Sequence, residues 1–225
     1  MAKSAKLGQR AFVEALGVFI FVFLGAGSVA AVNYAGLGTA GLLVIAIANG
    51  IGLALAISFA MNISGGHINP AVTVAAWINR LISTRDAAVY VIFQLIGAIA
   101  AGLFLVALYP SPIAIPVHYG APSLGPGISV TTGIILEAIM TFFLVTMVFG
   151  TAVDKRAPHI AGFGVGLVVM LDVLAGGAMT GAAMNPARAL GPMIASGFLT
   201  NWYVYIIGPL IGAIVAALVY KYLVK

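Results

Sequence analysis

The chain has 225 residues, 63% of them apolar and 7% charged, with a net charge of +5 and no cysteine. Soluble domains average about 45–50% apolar and about 25% charged residues, so this composition excludes a water-soluble globular protein and describes a chain that lives in a bilayer. Disulfides and thiolate metal sites are excluded as well, and the few charges, clustered by topology, matter more for orientation than as a nucleic-acid footprint.

In chain order, Lys3, Lys6 and Arg10 precede a first apolar run over 11–32. That run is too long for the apolar core of a signal peptide and carries Glu14 inside it, so it is expected to stay as a membrane span. Further runs over 41–61, 87–108, 129–151, 160–178 and 202–223 are each long enough to cross a hydrocarbon core of about 30 Å. Two shorter apolar stretches, 70–80 and 186–197, are about 16–18 Å long as helices and reach only halfway. Residues 109–128 hold five prolines and are expected to form a loop, not a span. The reading is one membrane domain over 1–225: repeat 1 at about 9–108, the connecting loop, and repeat 2 at about 129–225. Because each half has three spans, the second copy is inverted. The expected fold is all-α, with six transmembrane helices and two re-entrant half-helices in a 3+3 inverted repeat.

Each half-helix follows the same phrase. Ser64-Gly65-Gly66-His67-Ile68-Asn69-Pro70-Ala71 introduces the first, and Thr180-Gly181-Ala182-Ala183-Met184-Asn185-Pro186-Ala187 the second. Asn is a strong helix N-cap and Pro is favoured at the first helical position, so each helix begins at its motif. Capping uses the Asn oxygen, which leaves two amide donors on each side chain. The halves also match elsewhere: Glu14-Ala15 answers Glu137-Ala138, and Leu95-Ile96-Gly97-Ala98-Ile99 answers Leu210-Ile211-Gly212-Ala213-Ile214.

Nine basic residues (Lys3, Lys6, Arg10, Arg80, Arg85, Lys155, Arg156, Lys221, Lys225) fall on one side of this topology and none on the other. The positive-inside rule then makes both termini cytoplasmic. The tenth, Arg188, lies at membrane depth in the first turn of the second half-helix, where it opposes the helix dipole and calls for a functional reason. It belongs to the outer constriction; its counterpart in the first half is Val72.

Backbone without helical partners is tolerated at membrane depth only where it is buried in protein or lines a wet cavity. Residues 64–68 and 180–184 are such backbone, pore-lining through Gly65, Gly66, His67 and Ile68 and through Gly181, Ala183 and Met184. Their carbonyls form a line of acceptors, with Asn69 and Asn185 as donors in the middle. Two half-helix N-termini, each carrying roughly +0.5 charge, disfavour cations and orient water so that a proton-conducting chain is broken. Glu14 and Glu137 fit structural braces that accept hydrogen bonds from the loops better than proton relays. His67, two residues before Asn69, reads as a hydrogen-bonded His or a pH-responsive gate. Asp172 adjoins the pore region with its orientation open, and Gly162/Gly166 and Gly208/Gly212 read as close helix packing. Three functions compete: a passive channel for neutral solutes, a secondary transporter, which shares inverted repeats and half-helices but needs a coupling site, and a structural membrane protein, which gives Arg188 no reason.

The doubled Asn-Pro-Ala, the Ser64-Gly65-Gly66-His67 before the first copy, Ala187-Arg188 after the second and the repeated Glu resemble the aquaporin, or major intrinsic protein, family over essentially the whole chain. The resemblance implies a right-handed bundle with both half-helices meeting in each monomer's pore, a homotetramer in the cell membrane, and passage of water and small neutral solutes such as glycerol or ammonia. No enzymatic activity, cofactor or metal is implied. Counted from the motifs, the family's filter positions fall on Asn49, 20 before Asn69, and on Val173, Ala182 and Arg188, which are 12 before, three before and three after Asn185. Ala182 stands where many members carry a Cys. Strict water channels resemble Phe and His at the first two positions, and glycerol channels an aromatic pair with Asp after the Arg. Here Ala189 follows the Arg, and the set is closest to the plant vacuolar subtype with Asn49 in place of His. A filter wider than that of a strict water channel is expected.

Overall fold

A computed structural model describes residues 5–154, 156 and 160–223, so Lys3, Lys155 and Lys225 of the basic set lie outside the described residues. Among the described residues, six helices are long and apolar enough to cross a membrane. They are α1 (Leu7–Tyr34), α2 (Gly41–Ser64), α4 (Thr84–Leu108), α6 (Val130–Val148), α7 (Ala161–Thr180) and α9 (Val204–Leu223). The half-helices are α3 (Pro70–Ile78) and α8 (Pro186–Ser196). Each boundary has a local cause. Asn69 and Asn185 cap α3 and α8, with Pro70 and Pro186 opening them. Gly65 and Gly181 end α2 and α7 in the left-handed conformation that only glycine adopts freely. Ser83 and Ser129 cap α4 and α6 through their hydroxyls.

The connection at 109–128 is not irregular throughout. Pro112 and Pro116 open two tight helical turns, α5 (Ser111–Ala114) and a 3₁₀ turn over Ile115–Gly120. Proline presets the backbone angle that such turns need, so residues chosen as helix breakers serve here as helix starters. His118, Tyr119 and Gly120 then run left-handed, and a Cβ at Gly120 would collide with the Ala26 carbonyl, so the segment is seated on α1.

The strongest helix pairings are α1 with α4 and its counterpart α6 with α9, joined across the halves by α2 with α7. Two matched glycines set the first two. A Cβ at Gly97 would strike the Ala15 carbonyl, and one at Gly212 the Ala138 carbonyl. The repeated Glu-Ala and Gly-Ala dipeptides are therefore two halves of one crossing, present twice. Gly50 and Gly166 leave α2 and α7 the same freedom, each Cβ position being filled by the other helix's backbone. Large apolar side chains such as Leu55, Ile92, Phe143 and Leu171 remain exposed, which in lipid is their solvated state. At the basic end Arg10 pairs with Asp86 at 2.7 Å. Beyond the spans, Arg156 at 2.6 Å holds the Asp154 carboxyl down at about 2.

Candidate permeation site

The two loops between long helix and half-helix have the same backbone trace. Gly65, Gly66 and Ile68 are left-handed in the first, and Gly181, Ala182 and Met184 in the second. Ile68, Ala182 and Met184 are not glycine, and each such residue costs on the order of 1–2 kcal/mol. A carboxylate holds each loop in this shape. Glu14 Oε1 accepts from Ser64 Oγ at 2.6 Å and from the His67 N–H at 3.0 Å, and Oε2 accepts from the Ile68 N–H at 2.6 Å. Glu137 repeats the set with Thr180 Oγ1 at 2.7 Å, the Ala183 N–H at 3.0 Å and the Met184 N–H at 2.7 Å. Successive N–H groups turned toward one anion form a concave nest for it, and their carbonyls are forced to the opposite side.

Asn69 Oδ1 accepts from the Ala71 N–H at 2.8 Å, and Asn185 Oδ1 from Ala187 and Arg188 at 3.0 and 3.2 Å. Of the two amide donors that capping leaves on each side chain, one is spent within the protein. Asn69 donates to the Met184 carbonyl at 3.0 Å and Asn185 to the Ile68 carbonyl at 2.9 Å, so the half-helices are tied end to end with one N–H left on each. The line of acceptors is shorter for the same reason. Ser64 O and Thr180 O are taken by Tyr90 and Tyr205 hydroxyls at 2.8 and 2.9 Å. Among the described residues, that leaves the carbonyls of Gly65, Gly66 and His67 and of Gly181, Ala182 and Ala183 without a protein donor.

Two cavities flank this centre. One, about 230 Å³, is lined by Ile57, Met61, His67, Val72 and Phe149 among others. The other, about 390 Å³, is lined by Leu42, Ile45, His118, Gly120, Val173 and Arg188 among others. Leu42 and Ile57 are 15 residues apart on α2, or about 22 Å, so the cavities sit at opposite ends with the loops between them.

Arg188 is buried; Nη1 donates to Gly120 O at 3.1 Å and Nε has no partner. Val173 lines the same cavity. Asn49 and Ala182 are buried below it, outside its lining. Both Asn49 amide protons are used, on Ile45 O at 2.8 Å and Gly25 O at 3.4 Å, and Oδ1 lies against Gly25 of α1. Carbonyls cannot donate, which fixes the orientation of this amide. Gly25 makes the room: a Cβ there would collide with Asn49 Oδ1. Asp172 is buried, and among the described residues Oδ2 has no partner and no Lys or Arg pairs with it.

Sequence reasoning passed over Tyr90, Tyr205, Gln94 and Thr73. A signal existed for the tyrosines: each stands seven residues before its repeated glycine, Gly97 or Gly212. Gln94 and Thr73 belong to the first half alone. Gln94 Nε2 donates to Glu14 Oε2 at 2.7 Å and to Thr73 Oγ1 at 3.0 Å. The matching positions in the second half are Pro209 and Ala189, so no repeat pointed to them.

Six apolar spans around two capped half-helices that abut between opposed cavities define a membrane channel protein. The family model for "Major intrinsic protein" matches residues 1–220, and the chain belongs to that family. Similar proteins include the probable aquaporin TIP3-2 of Arabidopsis thaliana, 41% identical over 94% of this chain and 82% of that protein. Aquaporin TIP1-2 of Zea mays is 42% identical over 94% of this chain and 84% of its own length. Among solved structures, the aquaglyceroporin from Plasmodium falciparum superposes with a TM-score of 0.85 at 27% identity, covering 97% of both chains.

Proposed function

We propose that the chain is a passive channel for water, with passage of small neutral solutes such as glycerol and ammonia, that excludes protons and ions. The observation that carries this is the row of six loop carbonyls with no protein donor, running past one free N–H on each of Asn69 and Asn185. Buried backbone carbonyls need partners, and permeating water is the partner this row suits. Donors at the centre with acceptors on both sides make a water reverse its orientation midway, and the half-helix N-termini repel cations there.

In this reading Asn49, Val173, Ala182 and Arg188 form the outer filter, with Arg188 offering its unpaired Nε–H. Glu14 and Glu137 are braces: their carboxylate oxygens are filled by loop donors, which leaves neither free to relay a coupling proton. In the same proposal both termini face the cytoplasm, on the side where the basic residues fall, and the chain assembles as a homotetramer in the cell membrane. Proteoliposomes in a stopped-flow osmotic assay test the channel. The expected result is fast shrinkage with a low activation energy, unchanged by ion or proton gradients; gradient-dependent flux would instead indicate a transporter. Protease access from outside to 109–128 tests the orientation, and native mass spectrometry the tetramer.

A further inference from the structure

We propose that the inner cavity binds one soft monovalent metal ion, Ag⁺ or Cu⁺, between the Nε2 lone pair of His67 and the thioether sulfur of Met61. Hydrogen-bond bookkeeping around Thr73 decides which imidazole nitrogen is available. Thr73 Oγ1 gives its one proton to Asn69 O at 3.0 Å and accepts from Gln94 Nε2 at 3.0 Å. Its 3.1 Å contact with His67 Nδ1 must then run from the ring N–H to the hydroxyl oxygen. The neutral imidazole is thereby held as the Nδ1–H tautomer, which places the lone pair on Nε2. Among the described residues the only hydrogen bond of the ring is the one at Nδ1, and Gly65 leaves space beside Nε2, since even a Cβ there would stop 3.7 Å short.

His67 and Met61 line the same cavity of about 230 Å³, and the rest of its wall is mainly apolar. A cavity of that volume is several ångströms across, which the three rotatable bonds of a methionine can span. No carboxylate lines it, so Mg²⁺ and Ca²⁺ find no hard oxygen ligands of the charge they need, whereas imidazole and thioether suit a d¹⁰ monovalent ion content with two donors. Repulsion from the α3 dipole is offset locally, because the His67 backbone is itself bonded to the Glu14 carboxylate at 3.0 Å. The second half has Ala183 in place of His67, so the repeat carries no second copy of this site. That an occupied site plugs the inner mouth rests on the channel reading; the binding itself does not.

Titration calorimetry of the detergent-purified chain with silver nitrate in chloride-free buffer tests it. The expected result is one saturable Ag⁺ per chain, weakened about tenfold or more (about 1.4 kcal/mol) in each of His67→Gln and Met61→Leu. No saturable site, or wild-type affinity retained in either variant, would overturn the proposal. X-ray absorption at the silver edge of the wild-type complex gives a check that needs no variant: one nitrogen and one sulfur ligand are expected, and sulfur-only or oxygen-only coordination would overturn it too. Both readouts report binding rather than flux, so their failure is distinct from failure of the channel reading.

Discussion

Asn69 and Met184 are 115 positions apart in the chain and 3.0 Å apart in the structure, amide nitrogen to carbonyl oxygen. The reciprocal bond from Asn185 to Ile68 O, at 2.9 Å, makes each half-helix cap the end of the other half's loop. The cap residue of one repeat is thus also a tertiary bond to the other. Asn69→Ala removes the cap and this bond together, each worth about 1 kcal/mol. We expect a loss of about 2 kcal/mol and a several-fold fall in water permeability, read by thermal unfolding in detergent and by stopped-flow. Unchanged values of both would show the bond to be incidental.

The braces tolerate no amide. Each oxygen of Glu14 and of Glu137 accepts a backbone N–H, so a Gln in either flip turns an NH₂ group against a donor. Glu14→Gln and Glu137→Gln should each cost at least about 2–3 kcal/mol, because a buried charge-assisted bond becomes a repulsion. Glu14 should be the more sensitive site, having Gln94 as a further donor. Folded yield by fluorescence-detected size exclusion is the measurement, and wild-type yield from either variant would contradict the account.

Matched glycines should fail alike. Gly97→Ala and Gly212→Ala each drive a methyl group into a facing carbonyl, and helix separation should cost about 1–3 kcal/mol in both. A melting comparison in which only one variant is destabilised would show that the two crossings are not equivalent.

Removing the outer charge should change what is excluded more than what passes. Arg188→Ala leaves the central dipoles in place but takes away the one cation of the outer cavity wall. We expect water flux within about twofold of the parent and cation conductance raised about tenfold, as for a barrier lowered by about 1.4 kcal/mol. Planar-bilayer conductance equal to that of the parent would count against the role given to Arg188.

The width of the filter depends on a small residue at position 49. Asn49 fits because Gly25 yields space to its amide, and a Phe has no such space on the α1 side. Its ring would turn toward the lumen, so Asn49→Phe should cut glycerol and ammonia flux several-fold more than water flux. Reswelling of proteoliposomes measures both; a parent that already excludes glycerol and ammonia would refute the wide filter.

Much of the architecture is written in the sequence because its signals are local. Apolar run length sets the spans, and Asn-Pro sets the starts of α3 and α8, whose observed bounds differ from the expected ones by at most two residues. The inversion follows from counting spans between two copies of a phrase. Residues 109–128 hold no span, as their prolines indicate, while the two short turns inside them were not legible, because proline both breaks helices and starts short ones. What the tertiary structure alone decided is which donors and acceptors remain unspent. Asn69 and Asn185 each lose a donor to the opposite loop, four loop carbonyls are taken by Tyr90, Tyr205 and the same two amides, and Thr73 turns the His67 lone pair toward the cavity. Such choices join residues up to 117 positions apart. A sequence fixes which groups can donate or accept, but their partners depend on distances of about 3 Å that exist only once the helices are packed.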